Sequence, residues 1–492
     1  MKTNSIAKNA FFKLLLNLFN VVVPIIIGSY VARKLGSDML GTVNFAQSLY
    51  GYFYIFAGFG IYNYGLRELS RKRHDEKELR QTFTSLFIVT IITNSLVTII
   101  YIFFINQRYA GQPVGSAAMI LTFNLIFNIF YTEWVNEAIE NYAFISIKTI
   151  IVRIIYLILL FALVKGADDW KTYVYLLVFS TMANNILSFI HIKRRVKFDF
   201  SNLQILKHIK PMFFVVILSN ANVLYTQLDK LMLGEYISKS SVSFYVMAQN
   251  VMTVVNSLVL TVISVSLPRL SSYLSTDKND EYLKLVNKLS KIMFWFLFPI
   301  SFGIIVLSKQ IMSIYGGAEF VNAGPVLLVF GIYMITLGYE FILSNQIMYL
   351  NNKEKIQVLF LFVGGGVNLI LNIILLKMGI FTAETSILTT TISNTIFIIM
   401  EYAYIRLKLK INIDLFKIDK LKYMFIAAMF IPITLIIKTK FTNTILVVLI
   451  SVVVNVVYYY GVLLLTKDRV TYELMGIGVS KIKGLYKKIK RN

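Results

Sequence analysis

Apolar runs of about twenty residues recur along the whole chain, separated by short polar stretches. A helix needs about twenty such residues to cross the hydrocarbon core of a bilayer. Fourteen runs have this character: 11–32, 42–64, 83–105, 116–133, 149–164, 172–192, 211–233, 242–267, 292–308, 323–350, 356–376, 383–405, 423–437 and 443–465. Inside hydrocarbon every backbone N–H and C=O must bond within the protein, so runs like these fold as helices or not at all. The pattern predicts an all-α integral membrane protein with about fourteen spans. The runs at 149–164 and 423–437 are the shortest for that purpose.

Composition agrees with this expectation. Of 492 residues, 57% are hydrophobic and only 15% charged, against about 25% charged in soluble domains. The net charge of +24 would suggest nucleic acid in a soluble protein. Here the basic residues lie in short loops, so no nucleic acid partner is expected and anionic membrane lipids are. Lys2, Lys8 and Lys13 precede the first run as in a signal peptide. No small-residue cleavage motif follows, which predicts an uncleaved first span.

Orientation follows from where Lys and Arg fall. With the N-terminus inside, 37 of the 49 lie in inside segments, ten in outside loops and two within spans. Positive charge stays on the cytoplasmic side, so both termini are expected there. The KIKGLYKKIK stretch of the tail suits an amphipathic helix on the inner leaflet, and equally a solvated basic tail.

A repeat divides the chain. Gln47 is followed twenty residues later by Arg67, and Gln249 by Arg269, an offset of 202 that Ser70 and Ser272 share. It pairs spans 1–6 with 7–12 in the same orientation, a parallel pseudo-two-fold used by secondary transporters. The expected divisions are an N-lobe at 1–200, a C-lobe at 201–410, spans 13 and 14 at 411–470, and a basic tail at 471–492.

Several chemistries find no support. The chain has no cysteine, and its three histidines lie in or beside basic loops, so no metal site or cofactor is expected. Gly36 and Gly41 have the separation of a phosphate-binding loop, but Thr42 and Val43 follow in place of Lys and Ser/Thr. No Asp-x-Asp motif or catalytic triad is present. Transport is the class that fits, without enzymatic activity.

Charges in or beside spans carry the most information, because a lone charge at bilayer centre costs about 2.5–3.5 kcal/mol on the insertion scale. Asp229 and Lys230 lie near the outer end of span 7, Arg153 near the inner end of span 5, Glu340 deep in span 10 and Glu401 near the inner end of span 12. Arg153 can snorkel to the interface. Glu340 suits a cavity or coupling role, the alternative being a structural ion pair. Glu133, Glu137 and Glu140 share a helical face, which reads as solvated. Amides recur at helical spacing: Asn124 and Asn128, Asn368 and Asn372, and in spans 1, 7 and 8 Asn17, Asn20, Asn220, Asn222, Gln227, Gln249, Asn250 and Asn256. These, with Gln47, either bond across helices or line a hydrated cavity for a polar headgroup. Pro24, Pro299 and Pro432 inside spans predict kinks, and Gly364–Gly366 a flexible or closely packed point in span 11.

The run SIAKNAFFKLLLNLFN, then VARKLGSDMLGTVNFAQSL and GLRELSRKR, resembles the opening of bacterial polysaccharide-unit flippases. So does TQLDKLMLGEYISKSSVSFYVMAQN followed by SLPRLSSYL. These belong to the multidrug/oligosaccharidyl-lipid/polysaccharide exporter superfamily, and the resemblance covers the whole chain. It implies two six-helix lobes around a cationic cavity, plus two C-terminal helices bordering a lipid-tail groove. It implies alternating-access transport, in the bacterial cytoplasmic membrane, of undecaprenyl-(pyro)phosphate-linked oligosaccharide for capsule, O-antigen or teichoic acid. The driving force stays open among membrane potential, H+ and Na+. Other polysaccharide assembly proteins are expected partners of a monomer.

Carried over by position, Arg33 closes span 1 in the A-R-x-L-G pattern, Arg67 follows span 2 and Arg269 follows span 8. With Arg153 and Lys230 they are phosphate-binding candidates, since guanidinium pairs bidentately with phosphate. Topology-setting loop charge is the plain alternative for Arg67 and Arg269. Asp229 matches the family's D-K/R position and joins Glu340, Gln47, Gln249, Asn124 and Asn128 as coupling or cavity candidates. The chain lacks the Arg-rich span 1 of the peptidoglycan-precursor branch, which argues against that cargo. The runner-up activity is multidrug/cation antiport, weakened by the scarcity of buried acids.

Overall fold

The computed structural model describes residues 6–476, and these are helical almost throughout. In chain order the helices are α1 (Ile6–Gly58), α2 (Ile61–Lys72), α3 (Glu76–Tyr109), α4 (Pro113–Asn128), α5 (Glu133–Ala138), α6 (Tyr142–Leu163), α7 (Trp170–Lys193) and α8 (Ile205–Tyr236). They continue with α9 (Lys239–Ser275), α10 (Asn279–Gly316), α11 (Gly324–Phe341), α12 (Glu354–Lys377), α13 (Ala383–Leu407), α14 (Ile418–Ala428), α15 (Phe430–Lys440) and α16 (Thr444–Leu465). Among the described residues, nine helical segments are long and apolar enough to cross a membrane. The protein is a multi-pass membrane protein.

The apolar runs fall on these helices, with differences that have physical causes. Run 1 and most of run 2 lie in α1 as two helical stretches that meet at a kink at Gly36, whose φ of 72° is a conformation that glycine tolerates best. The short run at 149–164 is lengthened at its start, since α6 begins at Tyr142. This draws Lys148 out of the expected loop and into the helix, where it is buried against Glu133 at 2.7 Å. The short run at 423–437 breaks at Met429, between α14 and α15. Pro432 lies just beyond, and its missing N–H leaves the carbonyl of Ala428 without its helical donor. The tail stretch 481–490 lies outside the described residues, as do the side chains of Asn17, Asn220 and Asn222.

The chain forms two compact units, one comprising residues up to Asn250 with Gly365–Ser386, the other Val251–Gly364 with Ile387 onward. In the first, α1 packs against α3, α4, α6 and α8. Polar groups turn inward: Thr84, Ser85, Thr90, Asn94 and Asn128 are all buried, while Leu96, Ile99 and Phe103 on α3 are exposed. That reversal suits a helix whose outer solvent is hydrocarbon. At one end Trp134 is wedged among Leu69, Phe83, Val135 and Ile192, with its ring within 2.6 Å of where a Cβ on Gly65 would stand. Each of the three glutamates has a partner, though Glu137 and Glu140 also reach the surface. Glu137 accepts from Tyr62 OH at 3.1 Å, and Glu140 pairs with Arg73 at 2.5 Å. Together with the Glu133–Lys148 pair, they tie α5 and its exit to α2 and α6. At the other end α1 meets the α8–α9 turn so closely that a Cβ on Gly41 would lie 1.9 Å from the carbonyl oxygen of Lys239.

In the second unit α10 packs against α11, α14, α15 and α16. Asp468 is buried just after α16 and gathers Tyr423 OH (3.0 Å), the N–H and hydroxyl of Thr471 (2.9 Å each) and Lys422. Thr471 in turn accepts from Trp295 Nε1 at 2.9 Å, which fastens this segment to α10.

Two substitutions test this packing. Trp134→Ala should lower stability by about 3–5 kcal/mol, seen as a fall in the melting temperature of the detergent-solubilised protein. Gly41→Val should prevent the α1–α9 approach, so that the protein elutes as misfolded or aggregated material on size exclusion.

Candidate functional site

Asp229 is a buried, hydrogen-bonded charge of the first unit. It is fully buried, on the last third of α8, within a stretch read as membrane-spanning. One carboxylate oxygen accepts from Tyr245 OH at 3.0 Å, the other from Asn372 Nδ2 at 2.8 Å. Asn372 also donates, at 3.4 Å, to the side-chain oxygen of Asn368 one turn earlier on α12. Two donors from two other helices hold the carboxylate where burial alone would penalise its charge. Lys230 is buried as well, yet among the described residues it forms no ion pair within 4 Å. Adjacent positions on a helix diverge by roughly 100°, so neighbouring in sequence does not make the two a pair.

The amide pairs divide. Asn128 donates to Asn94 at 2.9 Å, and Asn94 donates to the carbonyl of Ala57 at 3.0 Å, a bridge across three helices. Asn124, one turn earlier, is buried with its side-chain oxygen lacking a partner among the described residues. Gln47 and Gln249 are half-buried, on α1 and α9.

The arginines occupy different settings. Arg33 is exposed on the turn of α1 that ends at the Gly36 bend. Arg67 is exposed, lies over the Tyr64 ring and reaches Glu68 at 3.9 Å. Arg269 is exposed and donates through Nε and Nη2 to Tyr273 OH at 3.1 and 2.9 Å. Each of these two lies over a tyrosine of its own helix. Arg153 is half-buried on α6, and its Nη1 is buried without a partner among the described residues.

In the second unit, Glu340 lies one residue from the end of α11, just before a π-helical turn at Ile342–Met348. Its Oε2 is buried with no hydrogen-bond partner among the described residues. Ser344, on the π turn, donates to the carboxylate of Glu401 on α13 at 2.9 Å, and Glu401 is fully buried. Two such acids with no lysine or arginine within 4 Å among the described residues form an arrangement that can take up a proton or a cation. π turns recur at functional positions because they re-aim side chains.

The second unit also holds an apolar groove of about 350 Å³ between α10 and α16, walled by Trp295, Pro299, Gly303, Phe430, Val452 and Tyr460. Tyr459 OH donates to the carbonyl of Trp295 at 2.9 Å, closing one end. Pro299 and Gly303 leave a shallow strip along α10 that bulkier residues would fill.

Sequence reasoning singled out Asp229 and Glu340, and named Glu401 without a role. Asn368 and Asn372 stood out by their spacing, but not as partners of Asp229. Nothing local marks Tyr245 or Ser344, whose partners lie 16 and 57 residues away.

A family model described as polysaccharide biosynthesis protein matches residues 6–274. A probable low-salt glycan biosynthesis flippase of Haloferax volcanii is 25% identical over 403 residues, covering 80% of this chain and 82% of the relative. A putative O-antigen transporter of Escherichia coli is 21% identical, covering 72% and 86%. Among solved structures, an inward closed lipid II flippase MurJ matches with a TM-score of 0.70 at 18% identity, over 92% of this chain and 100% of that one. An inward-facing multidrug resistance MATE family transporter matches with 0.60 at 14% identity, over 82% and 98%. These two show the fold.

Asp229→Asn leaves Tyr245 and Asn372 with one acceptor and one opposing donor. It should destabilise the protein by about 1–3 kcal/mol, read as a lower melting temperature. Tyr245→Phe, which removes one donor only, should shift it less.

Proposed function

We propose, since this chain belongs to the polysaccharide biosynthesis protein family, that it is a flippase for lipid-linked oligosaccharide, working by alternating access. The cargo is an undecaprenyl-(pyro)phosphate-linked unit of capsule, O-antigen or teichoic acid, carried across the bacterial cytoplasmic membrane. The protein is a transporter, as its named relatives are, and not an enzyme.

The observation that carries this over multidrug antiport is the groove between α10 and α16. A polyprenyl chain is long, flexible and wholly apolar, and such a strip inside hydrocarbon-spanning helices suits it. The charged end of the cargo needs the opposite chemistry. Arg33, Arg67, Arg153, Lys230 and Arg269 are the groups proposed for the phosphates. Lys230, buried without an ion pair among the described residues, and Arg153, with an unpartnered Nη1, have the most to gain from an anion. Gln47, Gln249, Asn124 and Asn128 would hydrogen-bond sugar hydroxyls. Asp229 and Glu340 are the proposed seats of H+ or Na+ coupling, with Glu401 joining Glu340. The proposed lobes are 1–200 and 201–410, with 411–470 flanking the groove and a basic tail at 471–492 on anionic lipid. The working unit is taken as a monomer that meets other polysaccharide assembly proteins, with fourteen spans and both termini cytoplasmic.

Depletion in the native host decides between the activities. Sugar-loaded undecaprenyl carrier should build up on the inner leaflet. Normal intermediates with altered dye or drug efflux would establish the antiporter instead. Arg33→Ala should cut export by about tenfold or more, the loss of one charge-assisted phosphate contact, at unchanged protein level. Unchanged export removes Arg33 from the site. Because the chain has no cysteine, single cysteines report topology: His74→Cys should react with an impermeant maleimide only after permeabilisation, and Asp168→Cys in intact cells.

A further inference from the structure

The connection between α7 and α8 is laid onto the start of α3, at the end of the first unit that positive charge assigns to the cytoplasm. The Asp199 N–H donates to Thr84 Oγ1 at 2.9 Å, the Gln204 N–H to Ser85 Oγ at 3.1 Å, and Gln81 Nε2 to Ser201 Oγ at 3.0 Å. This strapping leaves a polar cavity of about 230 Å³ bounded by α2, α3 and the first turn of α8. Its walls include Lys72, Gln81, Thr82, Gln204, Lys207 and His208.

Among the described residues, the charges in this cavity form no ion pairs. Lys72 Nζ donates to Thr82 Oγ1 and Lys207 Nζ to Gln204 Oε1, both at 2.9 Å and both to neutral oxygens. Neither lysine has an ion pair among the described residues. One acid, Glu78, also lines the cavity, against two lysines. His208 is buried and shares a 2.8 Å hydrogen bond with Tyr64 OH. Burial first, then Lys72, holds its imidazole below the ordinary histidine range, with Glu68 opposing and Lys207 adding to the depression. The wall is therefore rich in donors and carries a net positive charge.

What lies beside the cavity identifies its surroundings. Phe200, Leu203 and Leu206 are 64%, 41% and 82% exposed on the same connection and helix start. A connection facing bulk water would place polar residues there. Large apolar side chains next to a basic polar pocket are the arrangement of the headgroup layer, where side chains anchor in lipid and lysines meet phosphate.

We propose that this cavity binds the phosphate of an anionic membrane phospholipid, its headgroup between Lys72 and Lys207 and its acyl chains against Phe200, Leu203 and Leu206. Such a lipid bridges α2, α3 and α8 and braces the connection between α7 and α8. None of the residues proposed for cargo lines the cavity, although Arg67 lies over Tyr64, the partner of His208, and the site stands whether or not the cargo reading holds. A soluble phosphate compound would satisfy the same donors but not the apolar lip.

Native mass spectrometry of the delipidated full-length protein, titrated with palmitoyl-oleoyl phosphatidylglycerol or the matching phosphatidylcholine, tests this. The wild type should retain phosphatidylglycerol in preference to phosphatidylcholine. Lys72→Gln and Lys207→Gln should each weaken that retention about fivefold, while Lys207→Arg keeps it. Equal retention by the wild type and both Gln variants overturns the proposal, as does equal retention of the two lipids by the wild type. Displacement of phosphatidylglycerol by millimolar inorganic phosphate would assign the cavity to a soluble anion and overturn the lipid. Should Lys72→Gln fail to fold, the exposed Lys207 decides alone, with an unchanged melting temperature in lipid-free detergent as its folding control.

Discussion

Hydrocarbon offers no hydrogen bonds, and this dictates the rest of the structure. Each backbone amide in the spanning runs must bond within its own helix, and each polar side chain must find a protein partner or a wet cavity. Leu96, Ile99 and Phe103 on α3 face outward, while Thr90, Asn94 and Asn128 face inward and bond to one another or to backbone carbonyls. The interior of the first unit is thus held by directional contacts, whose spacing and handedness leave little freedom of register.

Within that frame, departures from regular helix mark where the molecule can do something. The Gly36 bend places Arg33 beside a change in chain direction. The π turn at Ile342–Met348 brings Ser344 to Glu401 and leaves an oxygen of Glu340 buried without a partner. Pro432 and the break at Met429 divide α14 from α15 beside the apolar groove. A straight helix would have provided none of these. In each case the helical ladder is interrupted where a side chain is re-aimed or a groove opens.

Partnering separates charges that the sequence presents alike. Asp229 is locked by Tyr245 and Asn372, whereas its neighbour Lys230 is left without an ion pair among the described residues. Glu133, grouped with Glu137 and Glu140 as a solvated face, is instead paired with buried Lys148 and accepts from Ser188 at 2.9 Å. Spacing along a helix says which residues share a face. It does not say what that face meets.

The sequence by itself determined that the chain is helical and crosses a membrane many times, because the apolar runs and the absence of water inside a bilayer allow nothing else. It also pointed to Asp229 and Glu340, since a carboxylate in such a run is costly wherever it ends up. The lysines of the α2–α3–α8 cavity drew no attention, because Lys72 and Lys207 read as ordinary loop charge until the connection is strapped to α3. Tertiary structure decided the partners: Tyr245 and Asn372 for Asp229, Ser344 for Glu401, and the strip of α10 that α16 leaves uncovered. Those contacts join residues up to 164 positions apart. Local periodicity carries no information over that distance, because it arises from which helices pack together, and packing is a property of the whole chain.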